Sequence, residues 1–264
     1  SANIFPQGNL NWTIDGNIAF NKTKVLKLYQ GEDIYGGSYN LSILDDYFNI
    51  LREGEEFAVF YGYTEDGYDD KGLIRYVDRN NDGVITALDK SIIGNPNPDF
   101  IYGLNSTLSY KNFDLTIFLQ GVYGNDIVNL SSPSITLDYG FGLNTLKAAY
   151  NDHWTPDNTN AKYPKITSKQ NVKASDRFVE DGSFLRLRNI QLAYNIPTEK
   201  LRISNVLRSA QVYVSAQNYL TITNYSWWDP EVNSSGGASS INQGIDFNTY
   251  PPSKSLNFGI RLGF

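Results

Sequence analysis

The sequence predicts an all-β fold, a run of antiparallel strands from the wall of a membrane-spanning barrel, with long loops at one end. Three observations predict it. Six segments alternate apolar and polar residues with a period of two, as strands with two unlike faces do. Their apolar face carries no charge outside one irregular point. Short and long connections between them alternate strictly. Alternation alone leaves a soluble sandwich open, because there the same apolar face points into a core. The connections separate the two. Membrane barrels join strands by short turns on one side and long loops on the other, whereas loops this long are uncommon in compact domains.

The first strand, Leu10 to Phe20, sets Leu10, Trp12, Ile14, Gly16, Ile18 and Phe20 against Asn11, Thr13, Asp15 and Asn17. A long connection, 21–101, leads to Tyr102 to Tyr110, where Tyr102, Leu104, Ser106, Leu108 and Tyr110 oppose Gly103, Asn105, Thr107 and Ser109. Lys111-Asn112 is a short turn into Phe113 to Leu119, with Phe113, Leu115, Ile117 and Leu119 opposite Asp114, Thr116 and Phe118. After the long connection 120–184, the strand Leu185 to Ile196 slips phase at Arg188-Asn189, which predicts a bulge. Beyond it Ile190, Leu192 and Tyr194 align. The shorter connection 197–209 precedes Ala210, Val212, Val214 and Ala216, opposed by Gln211, Tyr213, Ser215 and Gln217. The long connection 220–255 leads to Leu256, Phe258, Ile260, Leu262 and Phe264, opposed by Asn257, Gly259, Arg261 and Gly263.

Asp15, Asp114 and Arg261 all fall on the polar side. A lipid-facing Arg or Lys near the midplane would cost about 2–4 kcal/mol. The polar side is therefore expected to face the lumen, with Asn105, Asp114, Gln211, Gln217 and Arg261 as its candidate functional residues. The last strand is expected to run down to a periplasmic Phe264. Trp12, Tyr110, Phe113 and Tyr194 would mark the lower interface, and Phe20 and Tyr102 the upper one.

Composition agrees. No run in the 264 residues approaches the roughly 18 apolar residues of a membrane helix. A barrel needs none, because only alternate side chains meet lipid. Aromatics make up 14%, with 19 Tyr, which suits strands and interface girdles. The absence of Cys excludes disulfides and thiolate metal sites. A net charge of -6 with no basic stripe argues against nucleic acid. The chain has no Met, and Ser1 starts almost directly on a strand pattern. A fragment, or the mature remainder of a longer chain, is the expectation. No enzymatic activity is expected. The one His, His153, falls in an expected short helix from Leu143 to Trp154, and no nucleophile, base and orienting group can be assembled around it. Asp45-Asp46 and Asp69-Asp70 are expected to be solvated in polar loops.

Two loop motifs carry chemistry. Asp78, Asn80 and Asp82 hold positions one, three and five of a calcium-loop spacing, with Gly83 at the sharp turn. Val84 would offer its carbonyl, Thr86 a direct or water-mediated oxygen, and Asp89 the last ligand. Asp89 stands where a longer Glu is usual, so it would bind through one oxygen or favour Mg²⁺ over Ca²⁺. An Asx-rich turn without metal explains the same string. The second motif is Trp227-Trp228-Asp229-Pro230-Glu231, beside the Gly/Ser-rich stretch from Ser234 to Ser240. Trp227, Trp228 and Asp229 suit contact with a sugar ring or a covering partner. Packing of the loop is the simpler role.

Taken together, these strings resemble the SusC-like TonB-dependent outer-membrane transporters of Bacteroidetes. The resemblance is carried by Gly16-Asn17-Ile18-Ala19-Phe20-Asn21-Lys22, Phe60-Tyr61-Gly62-Tyr63, and Asp78 to Asp89 followed by Ile93-Gly94-Asn95-Pro96-Asn97-Pro98-Asp99-Phe100. It continues through Asp181-Gly182-Ser183-Phe184-Leu185-Arg186-Leu187-Arg188-Asn189, Ser215-Ala216-Gln217-Asn218-Tyr219-Leu220, Asp229-Pro230-Glu231 and Tyr250-Pro251-Pro252. The resemblance implies a barrel of about 22 strands holding an N-terminal plug, capped by a SusD-like surface lipoprotein and energised through TonB. Residues 1–264 would supply the C-terminal part, about the last six strands, with the remaining barrel and plug elsewhere. It further implies import of oligosaccharides, or for some members of peptides, and gives the lumen candidates an alternative role as plug contacts. The rival readings are a soluble, calcium-dependent carbohydrate-binding β-sandwich and a porin without energy coupling.

Overall fold

The computed structural model describes residues 2–4, 10–41, 44–137, 142, 144–200, 206–232, 234 and 240–264. All six expected strands are present. The wall strands are β1 Ala2–Asn3, β2 Leu10–Ala19, β3 Phe100–Tyr110, β4 Phe113–Tyr123, β5 Phe184–Ile196, β6 Ser209–Thr223 and β7 Ser255–Gly263. They form one seven-stranded antiparallel sheet in sequence order. Strand β1, which pairs Ala2 with Ile14, is too short to show an alternation. Among the described residues no helix is long and apolar enough to cross a membrane.

Register carries the apolar face across the whole sheet. Trp12, Leu108, Leu115, Leu192, Val214 and Phe258 form one cross-strand row. Ile14, Ser106, Ile117, Ile190, Ala216 and Leu256 form the next. The one hydroxyl in these rows is satisfied in place, because Trp12 Nε1 donates to Ser106 Oγ at 2.9 Å. The face is open. Ile260 is 69% and Phe258 78% exposed. A sandwich would bury these residues, whereas an apolar surface this continuous needs lipid or a partner over it.

The bulge lies where the phase slip puts it. Against β4 the pairing shifts between Leu187 and Asn189 and leaves Arg188 as the extra residue, and against β6 it shifts at the same point, with Asn218 and Tyr219 facing Arg188. The insertion keeps Ile190 and Leu192 on the same face as Leu185 and Leu187. Without it, Ile190 would turn to the polar side, since one residue of slip reverses every side chain. At the other end, the turn between β3 and β4 uses Lys111 at φ +54°. Asn112 fastens that turn to β5 by donating from Nδ2 to the Asn195 carbonyl at 2.8 Å.

The long connections are not the solvated polar loops the sequence suggests. They fold together into a body with its own core. Ile34–Tyr35, Asn49–Leu51, Val59–Gly62 and Ser91–Gly94 form one small sheet. Asp126–Asn129, Val179–Asp181 and Ile245–Asp246 form another, drawn from the second and third connections. Phe48, Phe60, Ile74, Val128, Leu130, Phe178 and Ile245 are buried between them. Polar groups cross-link the same layer. Asn49 Nδ2 donates to the Gln243 carbonyl at 3.0 Å, and the Tyr225 hydroxyl to Asp246 Oδ2 at 2.7 Å.

Three local expectations change with this body. Asp46 is not solvated: its carboxylate pairs at 3.0 Å with Lys90, whose side chain is 5% exposed. The side chain of Asp45 lies outside the described residues. Asp69 closes a turn by accepting from the Lys71 and Leu73 amides, while Asp70 is exposed. The expected helix is only Lys147–Asn151, and its proposed start, Leu143, lies outside the described residues. His153 closes the helix end, with Nδ1 at 2.6 Å from the Tyr150 carbonyl. Parts of the 197–209 connection and of the Gly/Ser-rich stretch also lie outside the described residues.

Candidate lumen face and binding cleft

The polar face carries a hydrogen-bonded ladder across five strands. Ser109 Oγ donates to Asp114 Oδ1 at 2.5 Å, and Asn195 Nδ2 donates to Asp114 Oδ2 at 2.6 Å. Gln211 Nε2 donates to Asn195 Oδ1 at 2.8 Å, and Arg261 donates to Gln211 Oε1 at 3.0 Å. Ser109 faces Asp114, Asn195 faces Gln211 and Gln211 faces Arg261 in register, while Asp114 faces Ala193 and reaches Asn195 diagonally. It joins three of the expected lumen residues, Asp114, Gln211 and Arg261, through Asn195. Asn105 and Gln217 lie on the same face nearer the long connections, in the row Asn105, Phe118, Asn189, Gln217. Arg261 also rests 4.7 Å from the centre of the Tyr213 ring. That ring lies across Gly259, where a Cβ would sit 2.3 Å from it, so glycine is required there.

A second cluster sits higher on the same face. Arg186 is fully buried. Its Nη2 donates to both Asp229 oxygens at 2.6 and 2.7 Å, its Nη1 to Glu231 at 3.0 Å, and its Nε to Thr221 Oγ1 at 3.0 Å. The bulge residue Arg188 shares Glu231 and donates to Gln120 Oε1 at 2.8 Å. Gln120 pairs with Arg186 in register, so both arginines stand on the polar face. The bulge thus leaves no charge on the apolar side.

This cluster pins the last long loop. Asp229 is an anchor: both its oxygens are engaged by Arg186. Trp227 is half-buried and stacks on Trp228 with centroids 5.7 Å apart. Trp228 is 61% exposed, so of the three residues it alone presents an open face. Between the loop and the wall lies a cleft of about 520 Å³, lined by Arg186, Thr221, Trp228, Tyr250, Pro251 and Lys254 among others.

The 78–89 loop folds on its own backbone. Asp78 accepts from the Gly83 amide at 2.8 Å and the Asp82 amide at 3.3 Å. Asp82 accepts from the Val84 amide and from Asn80 Nδ2, both at 2.8 Å. Asn81 at φ +58° and Gly83 at φ +84° make the sharp turn. Asp89 is buried, and its two oxygens accept from the Thr86 amide at 2.7 Å and the Arg79 amide at 2.8 Å. Those amides, Thr86 first, hold its carboxyl below the usual carboxylate range. Thr86 Oγ1 caps the following turn by accepting from the Leu88 amide at 3.3 Å. Among the described residues no group of three or more His, Cys, Asp or Glu side chains is placed to hold a metal ion. A cation in this loop would rely on Asn80 and the Val84 carbonyl beside the carboxylates, as hard ions do. The fit is partial: Asp78 and Asp82 keep free lone pairs, while Asp89 is engaged by the backbone.

No protein-family model matches the chain. Individual relatives do. TonB-dependent receptor P3 of Formosa agariphila is 34% identical over 283 residues, covering 100% of this chain. TonB-dependent receptor SusC of Bacteroides thetaiotaomicron is 30% identical over 97% of it. The solved RagAB peptide transporter superposes with a TM-score of 0.81 at 26% identity, over 99% of this chain and 28% of that one. The chain belongs to the TonB-dependent receptors. It spans 28% of the length of receptor P3 and 25% of SusC.

In a TonB-dependent receptor the sheet is a segment of barrel wall, and its polar face is the candidate lumen side. Sequence reasoning places residues on that side by alternation alone. It misses Asn195, which links the ladder, and the pairing of Arg186 with Asp229 and Glu231, although Asp229 itself is among its candidates. The signal for Arg186 is present: a strand of a lipid-facing sheet carries two arginines within three residues. Their partners, 43 residues away in a loop, have no periodicity to mark them.

Proposed function

We propose that the chain forms the C-terminal part of the barrel, with outer loops, of an outer-membrane transporter that imports oligosaccharides with energy delivered through TonB. A SusD-like surface lipoprotein would cover the loop body, and the rest of the barrel and the plug would complete the lumen. The observation that carries this reading is the uncharged, exposed apolar face, in register over six strands and opposite a hydrogen-bonded polar face. Lipid satisfies the first and a hydrated solute passes over the second. The ladder from Ser109 to Gln211 ties its side chains to one another and stiffens the polar wall, while the exposed Arg261 gives one N–H to Gln211 and keeps others for water or solute. The folded loop body fixes Trp228 and Tyr250 at the outer end, where a solute first arrives.

Peptide import is the second reading, favoured by the likeness to the RagAB peptide transporter. The full-length protein tests both. It is expected to leave the membrane only with detergent, and a labelled oligosaccharide is expected to enter cells only while TonB is present. A protein that fractionates as a soluble monomer sinks the transporter reading. Uptake of labelled peptides in place of sugars selects the second.

The loop carrying Asp78, Asn80, Asp82, Val84, Thr86 and Asp89 is proposed to take Ca²⁺, with Mg²⁺ as the alternative. Asp82→Ala is expected to abolish the metal that elemental analysis finds in the purified protein. Unchanged metal content in that variant would exclude this loop as the site.

A further inference from the structure

We propose that the cleft between Trp228, Tyr250 and Lys254 is a subsite for an acidic sugar, one whose ring bears a carboxylate or sulfate. The inference rests on the import reading and adds the charge of the cargo. Trp228 and Tyr250 are 61% and 85% exposed and line one cleft of about 520 Å³. Broad aromatic faces with polar groups beside them take the C–H face of a pyranose ring. Thr221 and Asp229 set polar groups beside the aromatic faces in the same lining.

The sign comes from the charges. Arg186 is neutralised by Asp229 and Glu231, and Arg188 also leans on Glu231. Lys254 lines the same cleft and makes no ion pair among the described residues. The cleft lining thus holds two cations, Arg186 and Lys254, against one carboxylate, Asp229, in a chain whose net charge is -6. The surplus charge is the mobile one: a lysine on a flexible stem can follow an anion that a fixed guanidinium cannot reach. Pro251 and Pro252 stand between Tyr250 and Lys254 and restrict the backbone that carries both. Arg186 is a positioning residue. It grips Asp229, next to Trp228, and holds the indole over the cleft.

The experiment uses the full-length transporter purified in detergent and two probes of equal length, a galacturonic acid hexamer and neutral maltohexaose, titrated by calorimetry. The acidic hexamer is expected to bind more tightly. Lys254→Gln should weaken it by about tenfold, the scale of one lost charge contact, and leave maltohexaose unchanged. Trp228→Ala should weaken both. Equal affinity for the two probes, an acidic hexamer indifferent to Lys254→Gln, binding of neither, or a hexaglutamate peptide displacing the acidic sugar each overturns the assignment. TonB-dependent uptake measured in the same strain keeps the two readings apart. Uptake without acidic preference ends the subsite and leaves import standing. A soluble, non-transporting protein ends both.

Discussion

Replacing Arg186 with Met is expected to cost the receptor about 3–5 kcal/mol, the usual penalty for breaking a buried ion pair from one side. Two charged groups were withdrawn from water to make this contact, and their side chains are 0% and 10% exposed. Without the guanidinium, Asp229 stays buried beside the wall with no cation. Glu231 suffers less, because it is 41% exposed and keeps Arg188. Arg186→Lys is expected to fall between Met and wild type. A point charge on a flexible stem cannot serve Asp229, Glu231 and Thr221 together as the guanidinium fork does. Adding Asp229→Asn to Arg186→Met should recover most of the loss, since the stranded charge disappears. The measurement is urea unfolding of the full-length receptor in vesicles, with proteolysis of the 224–254 loop as a local readout. An Arg186→Met protein within about 0.5 kcal/mol of wild type, a change typical of idle surface sites, would show that the cluster anchors nothing.

That cluster also marks the boundary of what the amino-acid sequence makes legible. The wall is readable because each strand separates two media of opposite polarity, so every residue from Leu10 to Ala19 declares its side. Even the bulge is visible, because Arg188 and Asn189 put two polar residues where one should face lipid. Legibility fades at the strand ends. β4 continues through Gln120 to Tyr123 and β6 through Leu220 to Thr223, inside stretches that read as the starts of long connections. The loop body is the largest omission. Its strands are two to four residues long, too short to show a period. Its contacts join residues as distant as Asn49 and Gln243. A core assembled from three separate connections appears in sequence only as scattered aromatic residues among polar ones. The same distance hides the site: Trp228 and Tyr250 become one cleft only when Arg186 draws the loop down to the wall.

Arginine placed along the apolar face should be penalised by depth, and this separates a membrane wall from any buried sheet. Ile117 lies midway along β4, between Ser106 and Ile190. Leu10 lies on the same face at the turn end, opposite Tyr110. Ile117→Arg is expected to destabilise the receptor by about 2–4 kcal/mol and Leu10→Arg by only about 0–1, because the cost falls from the bilayer centre to the interface. A long cationic side chain near the turn can reach headgroups, and one at the centre cannot. Thr116→Arg, one residue away on the polar face, should cost little, since water and the row of Thr107 and Gln191 receive it. The three proteins are compared by urea titration in vesicles of one thickness, then in a thinner bilayer, where the Ile117→Arg penalty should shrink. A sandwich core would reject arginine equally at Ile117 and Leu10 and would ignore bilayer thickness. That outcome would remove lipid from the account of this face, and with it the lumen from the account of the other.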